Sequence, residues 1–463
     1  MAPRYSAELP FSAKLSLSWS SYCSLRLSPP SGQLHGDDDG WKHGPWGANG
    51  RRRRWGSAEL WSLTVVRFRQ RVTTAEWTNS VTPSPTPPTT TSRPGQMYSL
   101  TAKRFLHASA KNSIMSYKLN TAATVTDNGI LSAVGNTPLI KLKRLSELTE
   151  RNIYGKAEWM NPGGSVKDRA ARFLIEMAEK RRLIKTGGTI VEGTAGNPGI
   201  GLAHICRAKG YKCVIYMPNT QSPSKMETLR LLGAEVHPVP VVPFDNPENF
   251  NHQARRHAES LDNAYWTNQF DNLDNRQAHI ESTGPEIWSQ LNGKVDAFTC
   301  SSGSGGTWSG VTRYLKTVNP SVKSYITEPP GSCLYSYVKT KGKSLEKEGG
   351  SFTEGIGQGR VTNNVAQDIA LADDAFLIPS SETNVMLYRL IDEEGIFVGG
   401  TAALNVIGAV KAAELAPKGS NIVTILADSA HKYTNKIFSK KFLKEKNLYD
   451  TIPEHLKKYA SLE

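Results

Sequence analysis

The sequence contains no hydrophobic run long enough to cross a membrane. Hydrophobic side chains make up 38% of the 463 residues and charged ones 21%, values that are typical of a globular protein. No apolar stretch approaches the roughly 18 residues that a membrane-spanning helix needs. We therefore expect no transmembrane helix.

Cysteine is scarce, and the few cysteines are widely spaced. There are five, an odd number: Cys23, Cys206, Cys213, Cys300 and Cys333. They form no CxxC pair and no His-paired metal-ligand spacing. This usage argues against a disulfide framework and a metal site, and it favours reduced thiols in the cytosol or an organelle matrix.

The net charge of +14 is concentrated at the N-terminus. Residues 1–115 hold 15 Lys/Arg against 6 Asp/Glu, so the rest of the chain is only weakly basic. A nucleic-acid-binding arm centred on the arginines at 51–54 is one reading of this charge, and an import leader is the other. We favour the leader and expect no nucleic-acid partner.

Two N-terminal segments differ in character from the rest of the chain. Residues 1–96 show little hydrophobic periodicity and include a Pro/Thr/Ser tract, so we interpret them as a disordered extension that could lie outside the natural product. From Met97 the chain is basic, rich in Ser and Ala, and free of acidic residues as far as Thr126. That composition predicts a mitochondrial presequence and linker over 97–124, with a flexible basic linker and a cytoplasmic protein as the alternative.

From about Gly129 onward, apolar β-type runs alternate with helical stretches. We predict strands at 189–192, 212–217, 295–300, 324–327 and 421–427, and helices at 200–209, 223–232, 307–316 and 431–441. Strands that alternate with helices predict an α/β fold of parallel sheets with helices on both faces.

The segment 161–169 reads Asn-Pro-Gly-Gly-Ser-Val-Lys-Asp-Arg. Its first four residues form a turn, and Ser165 is a good N-cap for a helix that runs to about Lys180. Lys167 then lies in the first helical turn, where a cation is disfavoured by roughly 0.3 to 1 kcal/mol. An ordinary lysine there would point into solvent, whereas a lysine that is neutral because it forms an imine avoids the penalty.

Two glycine-rich loops each follow a predicted strand and precede a helix. They lie at 192–199 and 301–307, and backbone N–H groups at such a junction can bind an anion. Neither is a Walker motif or a regular GxGxxG. Either loop by itself could be no more than a tight connection between a strand and a helix. Together with Lys167 they indicate a ligand with a phosphate at one end and a carboxylate at the other, as in pyridoxal phosphate carrying an amino acid.

A further segment, 394–403, contains Thr401 after a Gly-Gly pair. Thr401 could be a helix N-cap, or its hydroxyl could face the pyridine nitrogen of such a cofactor. A neutral hydroxyl does not hold that nitrogen protonated, so the ring would be a weaker electron sink, which suits β-elimination better than transamination.

With these motifs, residues 129–441 resemble the β-replacing pyridoxal phosphate enzymes of the tryptophan synthase β fold, in the cysteine synthase/cystathionine β-synthase family. The opening motif Gly-Asn-Thr-Pro-Leu at 135–139 and the segment 161–169 carry the resemblance. It implies a two-domain α/β fold and a homodimer. The implied ranges are a smaller mobile domain at 158–272, a larger cofactor-binding domain at 125–157 and 273–441, and a C-terminal tail at 442–463.

The resemblance also implies the roles of individual residues. Lys167 would form the Schiff base and remove the Cα proton of the substrate, Asn197 would bond the ring oxygen of the cofactor, and Thr401 would face its pyridine nitrogen. The phosphate would be held by Gly303, Ser304, Gly305, Gly306 and Thr307. The amino-acid substrate would be bound by Thr194, Ala195, Gly196, Asn197, Gln269 and Gly357.

Two departures from the family pattern lie in the carboxylate loop. Ala195 replaces a serine, and Pro198 replaces a threonine and lacks a backbone N–H. The implied reaction is replacement of the acetoxy group of O-acetyl-L-serine by sulfide, which gives L-cysteine. The alternatives are cystathionine synthesis, cysteine desulfhydration, or a non-catalytic regulatory relative.

Overall fold

The computed structural model describes residues 128–462, in which ten strands alternate with helices. The strands are β1 (Leu139–Lys141), β2 (Asn152–Ala157), β3 (Thr189–Gly193), β4 (Lys212–Pro218), β5 (Ala234–Val239), β6 (Ala264–Trp266), β7 (Ala297–Cys300), β8 (Lys323–Glu328), β9 (Asp374–Leu377) and β10 (Asn421–Leu426). The α-helices are α1 (Lys143–Thr149), α2 (Lys167–Lys180), α3 (Asn197–Lys209), α4 (Pro223–Leu231), α5 (Phe250–Glu259), α6 (Asp274–Ala278), α7 (Gly284–Gln290), α8 (Gly306–Val318), α9 (Leu334–Lys339), α10 (Asn363–Ala366), α11 (Ser380–Glu394), α12 (Gly400–Leu415), α13 (Thr434–Ile437) and α14 (Lys440–Glu445). Short 3₁₀ turns and one π-helical turn, His279–Thr283, complete the path.

Six strands form the larger sheet, in the order β1-β2-β10-β7-β8-β9. β1 pairs antiparallel with β2, and every other neighbouring pair is parallel. Ile422 of the central strand β10 aligns with Ile153 on one side and Ala297 on the other. Because parallel strands end at the same edge of the sheet, the loops that follow β7 and β10 lie side by side there.

Four parallel strands form the smaller sheet, in the order β5-β4-β3-β6. All of them lie inside the range 158–272 assigned to the smaller domain from the sequence. The loop 194–196 leaves the carboxyl end of β3 and enters α3. The domain boundaries and any movement between the two sheets remain predictions.

Helix α12 forms much of the core beside the larger sheet. Twelve of its sixteen residues are apolar or glycine, and it packs against strand β10 and helix α11. A Cβ at Gly408 would lie 2.1 Å from Thr327 Oγ1, so glycine allows the helix to lie close to β8. The segment called a C-terminal tail packs on the same core through Leu443, Ile452 and Leu456, as far as it is described.

The α/β class with parallel sheets flanked by helices is confirmed, and so are the five predicted strands, to within two residues at each end. Three details of the sequence reading are wrong. The helix predicted at 431–441 is three short helical pieces, the N-cap of α2 is Val166 rather than Ser165, and half of the strands were not identified. The extension and the presequence, residues 1–124, lie outside the described residues. Within 128–462, no helix is long and apolar enough to span a membrane.

Candidate active site

Lys167 is the first residue of helix α2 and lines a cleft between the carboxyl ends of the two sheets. The turn before it is held by the Gly163 N–H, which donates to the carboxylate of Asp168. Ser165 accepts a hydrogen bond from the Lys167 N–H at 3.3 Å, although it is not the N-cap. The lysine side chain is therefore presented to the cleft from a turn of fixed geometry.

The surroundings of Lys167 favour its neutral form. Burial lowers the pKa of Lys167, and the nearby Cys300 thiol and Asp428 carboxylate only partly oppose that shift. Burial also raises the pKa of Asp168 to about 7, against the hydrogen bond from Gly163. A lysine that loses its proton easily is suited to act as a nucleophile and a base.

The loop between β7 and α8 is packed so closely that its three glycine positions leave no room for a side chain. A Cβ at Gly303 would lie 2.0 Å from the carbonyl oxygen of Gly355, and one at Gly306 would lie 2.2 Å from Asn275 Oδ1. Gly305 has a φ of +90°, and a Cβ there would lie 2.2 Å from Val365. The loop thus leaves its backbone N–H groups at the start of a thirteen-residue helix, the arrangement that binds phosphate.

A small cavity of about 30 Å³ joins this loop to Lys167. It is lined by Lys167, Gly303, Gly305, Thr307 and Thr401, among others. Ser304 faces the adjoining cleft and accepts a hydrogen bond from Asn275 at 2.8 Å. The predicted Schiff-base lysine, the phosphate loop and Thr401 are therefore brought together.

The larger cleft has a volume of about 350 Å³. The whole carboxylate loop lines it: Thr194, Ala195, Gly196 and Asn197, followed by Pro198. Gln269 lines it as well, but its amide nitrogen lies 3.3 Å from Glu192 Oε1 and 3.4 Å from the carbonyl of Gly193. Burial raises the pKa of Glu192 to about 7 despite the hydrogen bonds that it receives from Thr267 and Gln269.

Thr401 is the second residue of helix α12, whose N-cap is Gly399. Its hydroxyl donates to the carbonyl oxygen of Glu354 at 3.2 Å. Gly357 has a φ of +79° and lies between two residues that line the cleft, although it does not line the cleft itself. Gly306 likewise lies behind the loop surface, so these two glycines shape the site without facing it.

Sequence reasoning missed a polar cluster that surrounds Asn197. Asn197 Nδ2 donates to Asp428 at 2.7 Å, and Asn197 Oδ1 accepts from Lys432 Nζ at 2.8 Å. Tyr433 donates to the same carboxylate and lines the cleft. The available signal was a run of polar residues directly after the buried strand β10, at the sheet edge where sites of parallel sheets form.

Two ionic contacts cross the mouth of the cleft. Lys225, on helix α4 beside the smaller sheet, pairs with Glu354, which Lys436 also contacts at 2.7 Å. Arg360 pairs with Asp271 at 2.8 Å, and its guanidinium lies 4.6 Å from the ring centroid of Phe244. Access to the cleft is thus set by side chains of helices and loops on its two sides.

Sequence comparison gives the same picture as this geometry. The family model described as "Pyridoxal-phosphate dependent enzyme" matches residues 130–428. The chain is 58% identical to cysteine synthase 1 of Neurospora crassa over 367 residues, which is 79% of this chain and 98% of the relative. It is 61% identical to cysteine synthase 1 of Emericella nidulans over 336 residues, or 72% of this chain and 91% of the relative.

Solved structures share the fold. A hydrogen sulfide-producing enzyme from Fusobacterium nucleatum superposes with a TM-score of 0.60 at 35% identity, covering 66% of this chain and all of that one. An O-acetylserine dependent cystathionine β-synthase from Helicobacter pylori gives 0.61 at 32% identity, covering 68% and 99%. These likenesses agree with the tryptophan synthase β-like fold expected from the sequence. The chain belongs to the family of pyridoxal-phosphate dependent enzymes.

Proposed function

We propose that this enzyme is a pyridoxal phosphate-dependent cysteine synthase. It replaces the acetoxy group of O-acetyl-L-serine by sulfide, which gives L-cysteine and acetate. The observation that carries the proposal is the convergence of Lys167, the phosphate-type loop and the carboxylate loop on the cleft and the small cavity beside it. Two fungal relatives at 58% and 61% identity that are named cysteine synthase 1 support cysteine as the product.

The residues present fit the cofactor. The loop 303–307 is held in place by close packing of its glycines against Gly355, Val365 and Asn275, and Ser302 keeps a buried hydroxyl without a hydrogen-bond partner beside it. Lys167 would bond the cofactor, the loop would hold its phosphate, and the Thr401 hydroxyl would face its ring nitrogen. When bound, pyridoxal phosphate withdraws electrons from the Cα of the attached amino acid.

The side chains of the enzyme supply the remaining chemistry. Loop 194–197 and Gln269 would bind the carboxylate of the substrate and orient its Cα–H toward Lys167. Lys167 Nζ, whose pKa is lowered by burial, is freed from the cofactor when the substrate amino group takes its place, and it takes the Cα proton as acetate leaves from Cβ. Hydrosulfide then adds at Cβ, and the same nitrogen returns the proton to Cα.

The two departures in the carboxylate loop bear on substrate selection. Ala195 offers no hydroxyl and Pro198 no N–H, so the substrate carboxylate has fewer donors. A lost hydrogen bond to a charged group costs roughly 1.5 to 3 kcal/mol when nothing replaces it. Lys225 runs beside Gly196, its nitrogen 3.6 Å from the Cβ position there, and brings a positive charge close to this loop.

Product analysis tests the reaction. Purified enzyme is supplied with O-acetylserine and sulfide, with serine and homocysteine, and with cysteine alone. Cysteine from the first mixture at the highest rate is the expected result. Faster formation of cystathionine, or of sulfide from cysteine, would reassign the substrate while keeping the cofactor.

A lysine substitution tests the cofactor site. Lys167→Ala should abolish both the visible absorption of the lysine-bound cofactor and the activity. Lys180→Ala, at the exposed far end of the same helix, is the matched control. Retention of the absorption band and the activity in Lys167→Ala would refute the assignment.

Closure of residues 158–272 over the substrate carboxylate is part of the proposal, because exclusion of water protects a reactive intermediate. The crossing contacts of Lys225 and Arg360 support it, since each joins the two sides of the mouth. Small-angle scattering with and without a non-reacting substrate analogue should show a smaller radius of gyration in its presence. An unchanged radius of gyration would refute the proposed closure.

We also propose a homodimer and a mitochondrial location. The first is what family resemblance implies, and sedimentation of the purified enzyme decides it. The second rests on the composition of the leader that begins at Met97. A fluorescent fusion expressed from Met97 should enter mitochondria, and a purely cytosolic signal would leave the cytoplasmic alternative.

A further inference from the structure

Lys432 is a largely buried lysine that holds three segments of the active site together. Its Nζ donates to Asn197 Oδ1 at 2.8 Å and to the carbonyl oxygen of Gly163 at 2.8 Å. The carbonyl of Gly164 lies 3.4 Å away. The turn that presents Lys167 and the N-terminus of helix α3 are therefore bound to the segment that follows β10.

The amide of Asn197 is fixed at both of its polar atoms. Its nitrogen donates to Asp428 Oδ2 at 2.7 Å and lies 3.4 Å from the Tyr433 hydroxyl, while its oxygen accepts from Lys432. A flipped amide would place its oxygen against the carboxylate and its hydrogens against the ammonium. Both contacts would be repulsive, so Lys432 and Asp428 select the same orientation.

The charge of Lys432 also supports Asp428 in that role. Burial raises the pKa of Asp428, and the hydrogen bond from Tyr433, the charge of Lys432, the amide of Asn197 and the charge of Lys225 each lower it. Without the ammonium of Lys432, Asp428 would take up a proton more readily. A protonated Asp428 could donate a hydrogen bond, so it would no longer exclude the flipped amide.

We propose that Lys432 is a positioning residue for the cofactor that acts through Asn197. It fixes the amide so that the Nδ2 hydrogen not given to Asp428 remains available to the ring oxygen of pyridoxal phosphate. This inference rests on the proposed function, in which Asn197 contacts that oxygen. It predicts that the effect of Lys432 on cofactor binding exists only while the Asn197 amide is present.

A double-mutant cycle tests the coupling. The four proteins are the wild type, Lys432→Met, Asn197→Ala and the double variant, each stripped of cofactor and titrated with pyridoxal phosphate. The dissociation constant is read from the visible absorption of the lysine-bound form. Lys441→Met, an exposed lysine further along the same segment, is the matched control and should bind like the wild type.

Lys432→Met should weaken cofactor binding by about 5- to 10-fold in the presence of Asn197, the usual range for one lost hydrogen bond. In the Asn197→Ala background the same substitution should change the dissociation constant of the cofactor by less than about 2-fold, because the amide that Lys432 positions is gone. A purely structural lysine would give equal factors in both backgrounds, and that result would overturn the proposal. If Lys432→Met does not fold, Lys432→Gln removes the charge in the same cycle.

The pH dependence of the absorption spectrum gives a second readout. Lys432→Met should make the visible band of the bound cofactor change with pH in a range where the wild-type band is constant, because the charge that lowers the pKa of Asp428, and that of Asp168 beside Lys167, is then absent. A band as constant as that of the wild type would contradict the role of Lys432. If the wild type forms no lysine-bound cofactor at all, the proposed function fails, whereas normal binding with additive effects refutes only the positioning role.

Discussion

Replacement of Arg169 by Met should be the most destabilising single change near the site. The guanidinium is buried on helix α2, two residues after Lys167. It donates to Glu158 at 2.7 and 2.9 Å and to Glu286 at 2.6 and 2.7 Å. Removing one partner of a buried ionic network leaves uncompensated charge, which costs about 3 to 5 kcal/mol in the free energy of unfolding.

The effect of Arg169→Met should depend on pH. In the wild type, burial alone would raise the pKa of Glu286, but Arg169 and Lys156 lower it to about 2. The Glu286 carboxylate stabilises the fold fully at pH values above its pKa in the unfolded chain. This stabilisation is lost only as the pH falls toward 2. Once Arg169 is gone, the buried carboxylate of Glu286 binds a proton more readily when folded, so the destabilisation should be smaller at pH 5 than at pH 8.

Urea unfolding followed by circular dichroism, at pH 5 and pH 8 and at equal cofactor saturation, measures the loss in the free energy of unfolding and its change with pH. The matched control is Arg172→Met, one turn further along α2, whose pair with Glu176 at 2.8 Å is partly exposed. It should cost no more than about 1 kcal/mol, since exposed ion pairs contribute little. An Arg169→Met cost equal to that of the control, or one that does not change with pH, would refute the reasoning.

Three further predictions concern the cleft. Gly303→Ala should weaken cofactor binding by at least about fivefold in a fluorescence titration, because the new methyl would overlap the carbonyl of Gly355 and overpacking costs about 1 to 3 kcal/mol; unchanged affinity would contradict this packing. Lys225→Met should cost about 1 to 3 kcal/mol in urea unfolding, less than Arg169→Met because Glu354 keeps Lys436. The free energy of unfolding of Glu192→Gln relative to that of the wild type should rise by about 2 kcal/mol from pH 5 to pH 7, because burial raises the pKa of Glu192 to about 7 and the wild type loses stability as this carboxyl group ionises. Equal stability differences at the two pH values would show that Glu192 does not titrate there.

The elements that carry the site were predictable because their signals are local. From β7 to α8, a buried strand, a run of glycines and a helix follow one another along the chain. Lys167 followed from the turn at 161–164 in the same way. The parallel topology then requires the ends of such strands to meet at one edge, so local patterns sufficed to predict a common site.

Other elements lacked a local signal. Strand β2 contains Gly155 and Lys156, which interrupt its apolar pattern, and Lys156 is nevertheless buried because it pairs with Glu286 at 2.6 Å. The region 431–441 has helical composition, yet Ser439 accepts a hydrogen bond from the Phe442 N–H and starts a new helix there. In β2 a tertiary contact overrides the preference of the chain itself, whereas at Ser439 a local N-cap divides a region of helical composition.

The contacts that orient the site are the least predictable because they join residues far apart in sequence. Lys432 and Asn197 are 235 residues apart, and Lys225 and Glu354 are 129 apart. No periodicity selects such partners, since each polar side chain could as well face solvent. Their pairing becomes necessary only once β10 lies beside β7 and the two sheets enclose a cleft, where an unpaired charge would be costly. Lys167 can therefore be found by its sequence motif, whereas the residues that make its surroundings specific follow only from the assembled fold.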